Sequence, residues 1–300
     1  LADLLASLGI RPVAVIGHSL GEVAAACIAG ALTREQALHL AMTRSALQAG
    51  CAGQGAMAVA AASAAALGPL LPSDVEIAGE NGPTSTVLSG PAAGIEAAMA
   101  LLDAQGITAL PVRVPVAYHS AQMEPLVPRL VSSLAGLSPQ AGTVPFISTV
   151  TGTVVPGTSL DARYWGRNLR QPVLFRQGIA ALAAAGHRHF LELGPHPLLA
   201  LPIRQTVPDA TVAAPLRRGT ADEATLRSAI GTPVQERHGP HLLVLSARSA
   251  MALEALAQRW ADHLDSAAAT AFPDLCHTAL VGRDRFAHRL ALQAADAADA

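Results

Sequence analysis

An apolar run, Val13-Ala14-Val15-Ile16, leads directly into Gly17-His18-Ser19-Leu20-Gly21-Glu22, and an alanine-rich stretch follows. This order fits a buried strand that turns sharply into a helix, because glycine tolerates the backbone such a turn demands. It puts Ser19 at the apex with its hydroxyl raised above a sheet, as a nucleophile elbow does. The following helix aims free N–H groups and its positive dipole end at the point where an oxyanion would form. Ser19-x-x-Glu22 also spells a capping box, in which the serine merely starts a helix. A capping box needs neither glycine nor a preceding strand, so the elbow explains more of the pattern.

Three hundred residues at 51% hydrophobic suffice for a large core or two domains. Lysine is absent, the arginines are scattered and the net charge is −2, so nothing points to nucleic acid. Gly, Pro or charge breaks every apolar stretch before the ~20 residues a membrane helix needs. Cys27, Cys51 and Cys276 are odd in number and far apart; they suggest neither a disulfide framework nor a metal site. Leu1–Ile10 lacks the basic region and cleavage site of a signal peptide and reads as a helix, so a reducing cytoplasm is expected.

Periodicity predicts a strand over 12–17, helices over 20–30 and 34–49, and a strand over 56–61. A short helix to about 71, segments at 75–79 and 84–89, a helix over 92–105 and a strand over 107–114 follow. This β-α-β-β-α-β order suggests a ferredoxin-like insert, with Asn81-Gly82 as its hairpin turn. Beyond it come a helix (121–136), a strand (144–149), Tyr164-Trp165 leading to a helix (173–185), and a strand (189–193) stopped by Gly194-Pro195. Alternating strands and helices argue for an α/β fold with a mostly parallel sheet. Residues 206–240 read as a linker with a short helix at 221–230. A fresh unit then offers a strand (242–245), helices (249–264, 273–281), a strand (285–293) and an alanine-rich tail.

His119 falls in Val116-Ala117-Tyr118-His119-Ser120, where the insert returns to the main body and a cleft would open. Read alone, it fits a satisfied core histidine better than a base, and Arg44 a solvated helix charge better than a ligand. His18 neighbours the serine but points the wrong way to be its base. His187 and His189 flank Arg188 with no Cys or acidic cluster beside them, which argues against a metal site, and His263, His277 and His288 read as structural or surface residues.

Taken together, the stretches GHSLGEVAAACIAGALTREQAL, MTRSALQ, GAMAV, ENGPTSTVLSGP, HSAQMEPL, YWGRNLRQPVLF and LELGPHPLL identify a family. From Leu1 to about Arg218 the chain resembles the acyltransferase domain of modular polyketide synthases, and more distantly malonyl-CoA:acyl-carrier-protein transacylases. The resemblance implies Ser19 as the acylated nucleophile and His119 as its general base and acid. It implies the Leu20 backbone N–H as an oxyanion donor and the Gln171 backbone carbonyl as the group that orients His119. Arg44, 25 positions after the serine, would grip the extender's free carboxylate, a task suited to a bidentate cation. Val116 and Tyr118 stand in the tetrad tied to extender choice; VAYH matches neither usual form, and bulky Tyr118 favours malonyl over methylmalonyl. His196 is a signature residue at a turn.

The resemblance further implies no bound cofactor or metal. The substrates would be an acyl-CoA thioester and the phosphopantetheine thiol of an acyl carrier protein, with ketosynthase or acyltransferase domains of a megasynthase as neighbours. The large subdomain would comprise 1–55 and 119–218, the ferredoxin-like one 56–118, a linker 219–240 and a small α/β domain 241–300. That last segment resembles the linker normally found ahead of an acyltransferase, which here follows one. Family members also carry an upstream strand and a G-Q-G turn whose glutamine completes the oxyanion hole. The chain starts 18 residues before Ser19, so that donor is expected to be missing, at a cost of about 10²–10³ in rate. Two other readings are open: a serine or editing hydrolase, for which Asp161 and His196 are the best triad partners, and a non-catalytic fragment.

Overall fold

The computed structural model describes residues 1–219, 241–266 and 286–294, with Phe272, Leu275, Cys276 and Ala279. Leu1–Gly231 and Thr232–Ala300 are separate compact units. The first opens with α1 (Ala2–Ser7), β1 (Val15–Ile16), α2 (Gly21–Ile28) and α3 (Arg34–Ala49). β1 is shorter than the strand expected over 12–17, because Val15 and Ile16 are the residues that find ladder partners. They pair in parallel with Phe146 and Ile147. α2 buries Val23, Ala25 and Ala26, and such small side chains let it lie close against β1 and α3. Thr33 and Gln36 form the capping box that starts α3, and it, not the elbow, is the true box.

The insert is a four-stranded antiparallel sheet of β2 (Ala56–Ala60), β3 (Glu76–Gly82), β4 (Ser85–Gly90) and β5 (Ala109–Val112), in the order β3-β4-β2-β5. α4 (Ala64–Leu67) and α5 (Ala92–Ala104) complete the ferredoxin-like connectivity. Alternation along the strands sorts the two faces. Ala58, Ala60 and Leu88 cluster with the helical Leu67, Ile95 and Leu102, while Met57, Ala78 and Val87 cluster on the far side, covered by Val114 and Tyr118. The hairpin does not turn at Asn81-Gly82: Gly82 pairs with Ser85, so Pro83-Thr84 forms the loop. Asn81 is the unpaired residue of a bulge, which frees its side chain for the main body.

The helix expected over 121–136 is instead a 3₁₀ segment, Ala121–Leu126, followed by α6 (Val127–Ser133). Pro125 and Pro128 lack the N–H groups a continuous α-helix would use. β6 (Phe146–Ile147) and β7 (Val154–Val155) follow, antiparallel to each other. α7 (Ala162–Arg170), unforeseen around Tyr164-Trp165, is capped by Asp161, whose carboxylate accepts from Tyr164 N–H at 2.8 Å. It buries Tyr164, Trp165, Asn168 and Leu169, anchored by Trp165 Nε1–H to Leu160 O at 2.7 Å. α8 (Phe175–Ala184), β8 (His189–Leu191), α9 (Ala200–Thr206) and β9 (Thr211–Ala213) close the unit, with β8 and β9 parallel. β9 thus lies inside the stretch read as a linker; its three residues are too short for periodicity to register.

Before α8, the backbone of Val173 bonds Ala78 and Glu80 of β3, which ties the small sheet to the main body. In the second unit β10 (His241–Ala247) and β11 (His288–Ala294) pair antiparallel beside α10 (Ala250–Ser266). Leu243, Leu245, Leu264, Phe272 and Cys276 are buried there. The short helix at 221–230, His277, most of 273–281 and the tail lie outside the described residues. Among the described residues no helix is long and apolar enough to cross a membrane.

Candidate active site

Ser19 and His119 are the only non-glycine residues with positive φ among the described residues, at 53° and 56°. A left-handed backbone under a side chain costs about 1–3 kcal/mol and persists where its surroundings impose it. Here the two strained residues, 100 positions apart, meet: Ser19 Oγ lies 2.6 Å from His119 Nε2. A Cβ at Gly17 would stand 2.2 Å from Glu22 N, whereas Gly21 has open space around it. Of the two flanking glycines, only Gly17 is demanded by the turn. No side chain caps α2, because Ser19 faces His119 and Glu22 is drawn into the interior. Among the described residues no backbone or side-chain acceptor takes the Leu20 N–H, which stands at the head of α2.

His119 Nδ1 lies 2.8 Å from Gln171 O. A carbonyl only accepts, so Nδ1 carries the proton and Nε2 presents its lone pair to the serine hydroxyl. Burial, then the charge of Arg44, pull the His119 pKa down to about 3, against the opposing pull of the Gln171 bond. The imidazole is therefore neutral at physiological pH and free to accept a proton. Gln171 itself is held by its neighbour: Arg170 donates to Glu76 at 2.9 Å and Glu124 at 2.8 Å, linking α7 to β3 and the 3₁₀ segment.

Arg44 is no solvated helix charge. It is 2% exposed, donates through Nη2 to Ser19 Oγ at 3.1 Å and through Nη1 to Asn168 Oδ1 at 2.6 Å. Its Nε–H is buried without a partner. Burial brings its pKa down to about 10, with Glu22 opposing, so it remains a cation. Tyr118, half-buried against the outer face of the small sheet, also acts electrostatically on Arg44. Val116 is packed into the main core with Leu40 and Met123.

Several residues of the site escaped the sequence reading. Glu22, fully buried, accepts from Thr149 N–H and, at 2.9 and 2.7 Å, from Thr149 Oγ and Asn168 Nδ2. The Tyr164 hydroxyl completes the set at 2.7 Å. Burial holds the Glu22 carboxyl above its ordinary range, opposed by these bonds; four donors around one group favour its carboxylate form. His18 Nε2 bonds Asn81 Oδ1 at 2.7 Å, its ring tilted against Phe175, and burial lowers its pKa. The visible signal for Asn168 was a polar residue in the buried stripe of a short helix. Asn81 gave none beyond the misleading Asn-Gly pair. Asp161 caps α7, and His196 accepts the Arg218 N–H at 3.4 Å; neither bonds the other or Ser19, so a Ser-Asp-His triad through them is not assembled.

Residues 1–238 match the family described as acyl transferase domain, and 241–300 the one described as CurL-like, PKS C-terminal. The chain is 40% identical over 246 residues to the spectinabilin polyketide synthase system protein NorC of Streptomyces orinoci, covering 79% of this chain and 11% of that protein. It therefore spans a small part of the relative's length. A loading acyltransferase from the avermectin modular polyketide synthase superposes with a TM-score of 0.74 at 34% identity, covering 77% of this chain and 75% of that one. A malonyl-transacylase solved in complex with its type II PKS acyl-carrier protein gives 0.68 at 25% identity, covering 77% and 76%. With that family matched over residues 1–238 and the fold shared with solved acyltransferase domains, the chain belongs to the acyl transferase domain family.

Proposed function

We propose that the chain loads a malonyl group from malonyl-CoA onto Ser19 and hands it to the phosphopantetheine thiol of an acyl carrier protein. One observation carries this reading: the Arg44 guanidinium, 2% exposed, stands 3.1 Å from the Ser19 hydroxyl with an unpartnered Nε–H. A buried cation with spare donors beside a nucleophile suits an acyl group that ends in a carboxylate. A hydrolase of neutral acyl groups has no use for it.

In this reading Ser19 Oγ attacks the thioester carbonyl while its proton passes to His119 Nε2. The oxyanion develops toward the Leu20 N–H and the head of α2. Collapse breaks the C–S bond, and CoA leaves with the proton from His119. The carrier's thiol then gives its proton to Nε2 and attacks the acyl-serine, and Ser19 recovers the proton as it leaves. Gln171 O holds the imidazole in the tautomer that both steps use. A thiolate departs readily, so a dyad without a buried acid suffices.

The choice of malonyl over methylmalonyl rests on Tyr118, whose bulk at the position before His119 would crowd an α-methyl branch. Residues 219–240 are proposed as a linker and 241–300 as a spacer without chemistry, within a cytoplasmic megasynthase. Mixing the chain with both CoA esters and weighing the intact protein tests the extender. A dominant malonyl adduct is expected, with Tyr118→Ser shifting the ratio toward methylmalonyl; a dominant methylmalonyl adduct on the parent would overturn the choice.

A further inference from the structure

Beneath the nucleophile, a buried cation and a buried anion are kept apart by one neutral side chain. Arg44 Nη1 donates to Asn168 Oδ1 at 2.6 Å, and Asn168 Nδ2 donates to Glu22 Oε2 at 2.7 Å. The amide can take only this orientation. Flipped, it would face its N–H against the guanidinium N–H and its oxygen against the carboxylate. Glu22 in turn is saturated by Thr149, Tyr164 and Asn168, so it has no oxygen to spare for Arg44. A direct arginine–carboxylate pair is bidentate and would consume the donors a substrate needs.

We infer that Asn168 and Glu22 act as positioning residues that orient Arg44 without neutralising it, and thereby set the preference for carboxylate-bearing acyl groups. The inference rests on the reading of Arg44 given above. Its content is specific: the negative charge must sit at position 22 and the neutral amide at position 168. Exchanging the two keeps the net charge and the heavy-atom count; the Tyr164 hydroxyl, which in the parent donates to Glu22 Oε2, then turns its proton to Ser148 Oγ and accepts from the new amide. In Glu22→Gln with Asn168→Asp, the new amide donates to the new carboxylate, which pairs directly with Arg44.

The test is calorimetric binding of malonyl-CoA and acetyl-CoA to the full chain in a Ser19→Ala background, where no turnover occurs. The parent is expected to prefer malonyl-CoA by about 10- to 100-fold, the range of a charge-assisted hydrogen bond. The exchanged pair is expected to melt near the parent yet to lose most of that preference. Asn168→Asp alone, with two carboxylates in contact, is expected to melt lower. Asn168→Leu, uncharged and close in size, serves where the exchange disturbs folding; with no amide between them Glu22 draws Arg44 to itself, and the preference falls as well. A folded exchanged pair or Asn168→Leu variant with the full preference overturns the inference. Arg44→Ala separates the two readings: if it keeps the preference, or the parent has none, the role of Arg44 itself fails.

Discussion

Gly17 and Gly21 flank the same serine but do different work. Gly17→Ala forces a methyl against the Glu22 backbone at 2.2 Å and is expected to destabilise the chain by about 3 kcal/mol or more. Gly21→Ala meets open space at the first position of α2 and is expected to stabilise by about 0.4–1 kcal/mol. Denaturant midpoints of the two variants check the contrast. His119 yields a second expectation. Its pKa of about 3 arises from burial and then the Arg44 charge, so acylation at limiting substrate should persist as pH falls through 6.5. The pH–rate profile of kcat/KM checks this; an acid limb at 6.5 would contradict it. Stability, unlike activity, falls over this range. Below 6.5 the unfolded chain takes a proton that native His119 refuses, so its contribution is lost as pH falls from 6.5 toward about 3. Ser19 was legible as a candidate from its motif, whereas His119 read alone as a core histidine and was singled out by the resemblance. Arg44 was not legible from its helix, whose polarity suits a solvated charge; only the resemblance pointed to it. Asn168 and Glu22 were missed because a buried polar network is defined by contacts 146 positions apart, which no local pattern records.

Elements were legible where period and caps agreed. α3 begins where Thr33 caps it, and α5 and the insert's strands follow their alternation. Failures have local causes: prolines divide the segment at 121–133, and β9 is short and gains its identity only from pairing with β8. Asn81 is the instructive case. An Asn-Gly pair is a strong turn signal, yet the bulge in β3 spends it on a bond to His18 across subdomains. Asn81→Ala leaves a half-buried imidazole N–H without its partner and is expected to cost about 1 kcal/mol. Thermal unfolding measures it, and an unchanged midpoint would mean that His18 finds another partner.

Over the whole chain, all residues of the proposed mechanism fall within Leu1–Gly231, one of the two compact units. A chain ending at residue 238 is therefore expected to acylate Ser19 as the full chain does, checked by comparing adduct yields. The α/β class and the ferredoxin-like insert were readable from element order, because right-handed crossovers and short connections leave few arrangements. The pairing of short strands was not, since two-residue strands carry almost no periodic signal. The most direct measurement is peptide mapping of the full chain after exposure to malonyl-CoA, beside Ser19→Ala and His119→Ala. A malonyl group on Ser19, absent from Ser19→Ala and strongly reduced in His119→Ala, is the predicted result. A folded chain that stays unmodified, or carries its malonyl group elsewhere, would contradict the proposed chemistry.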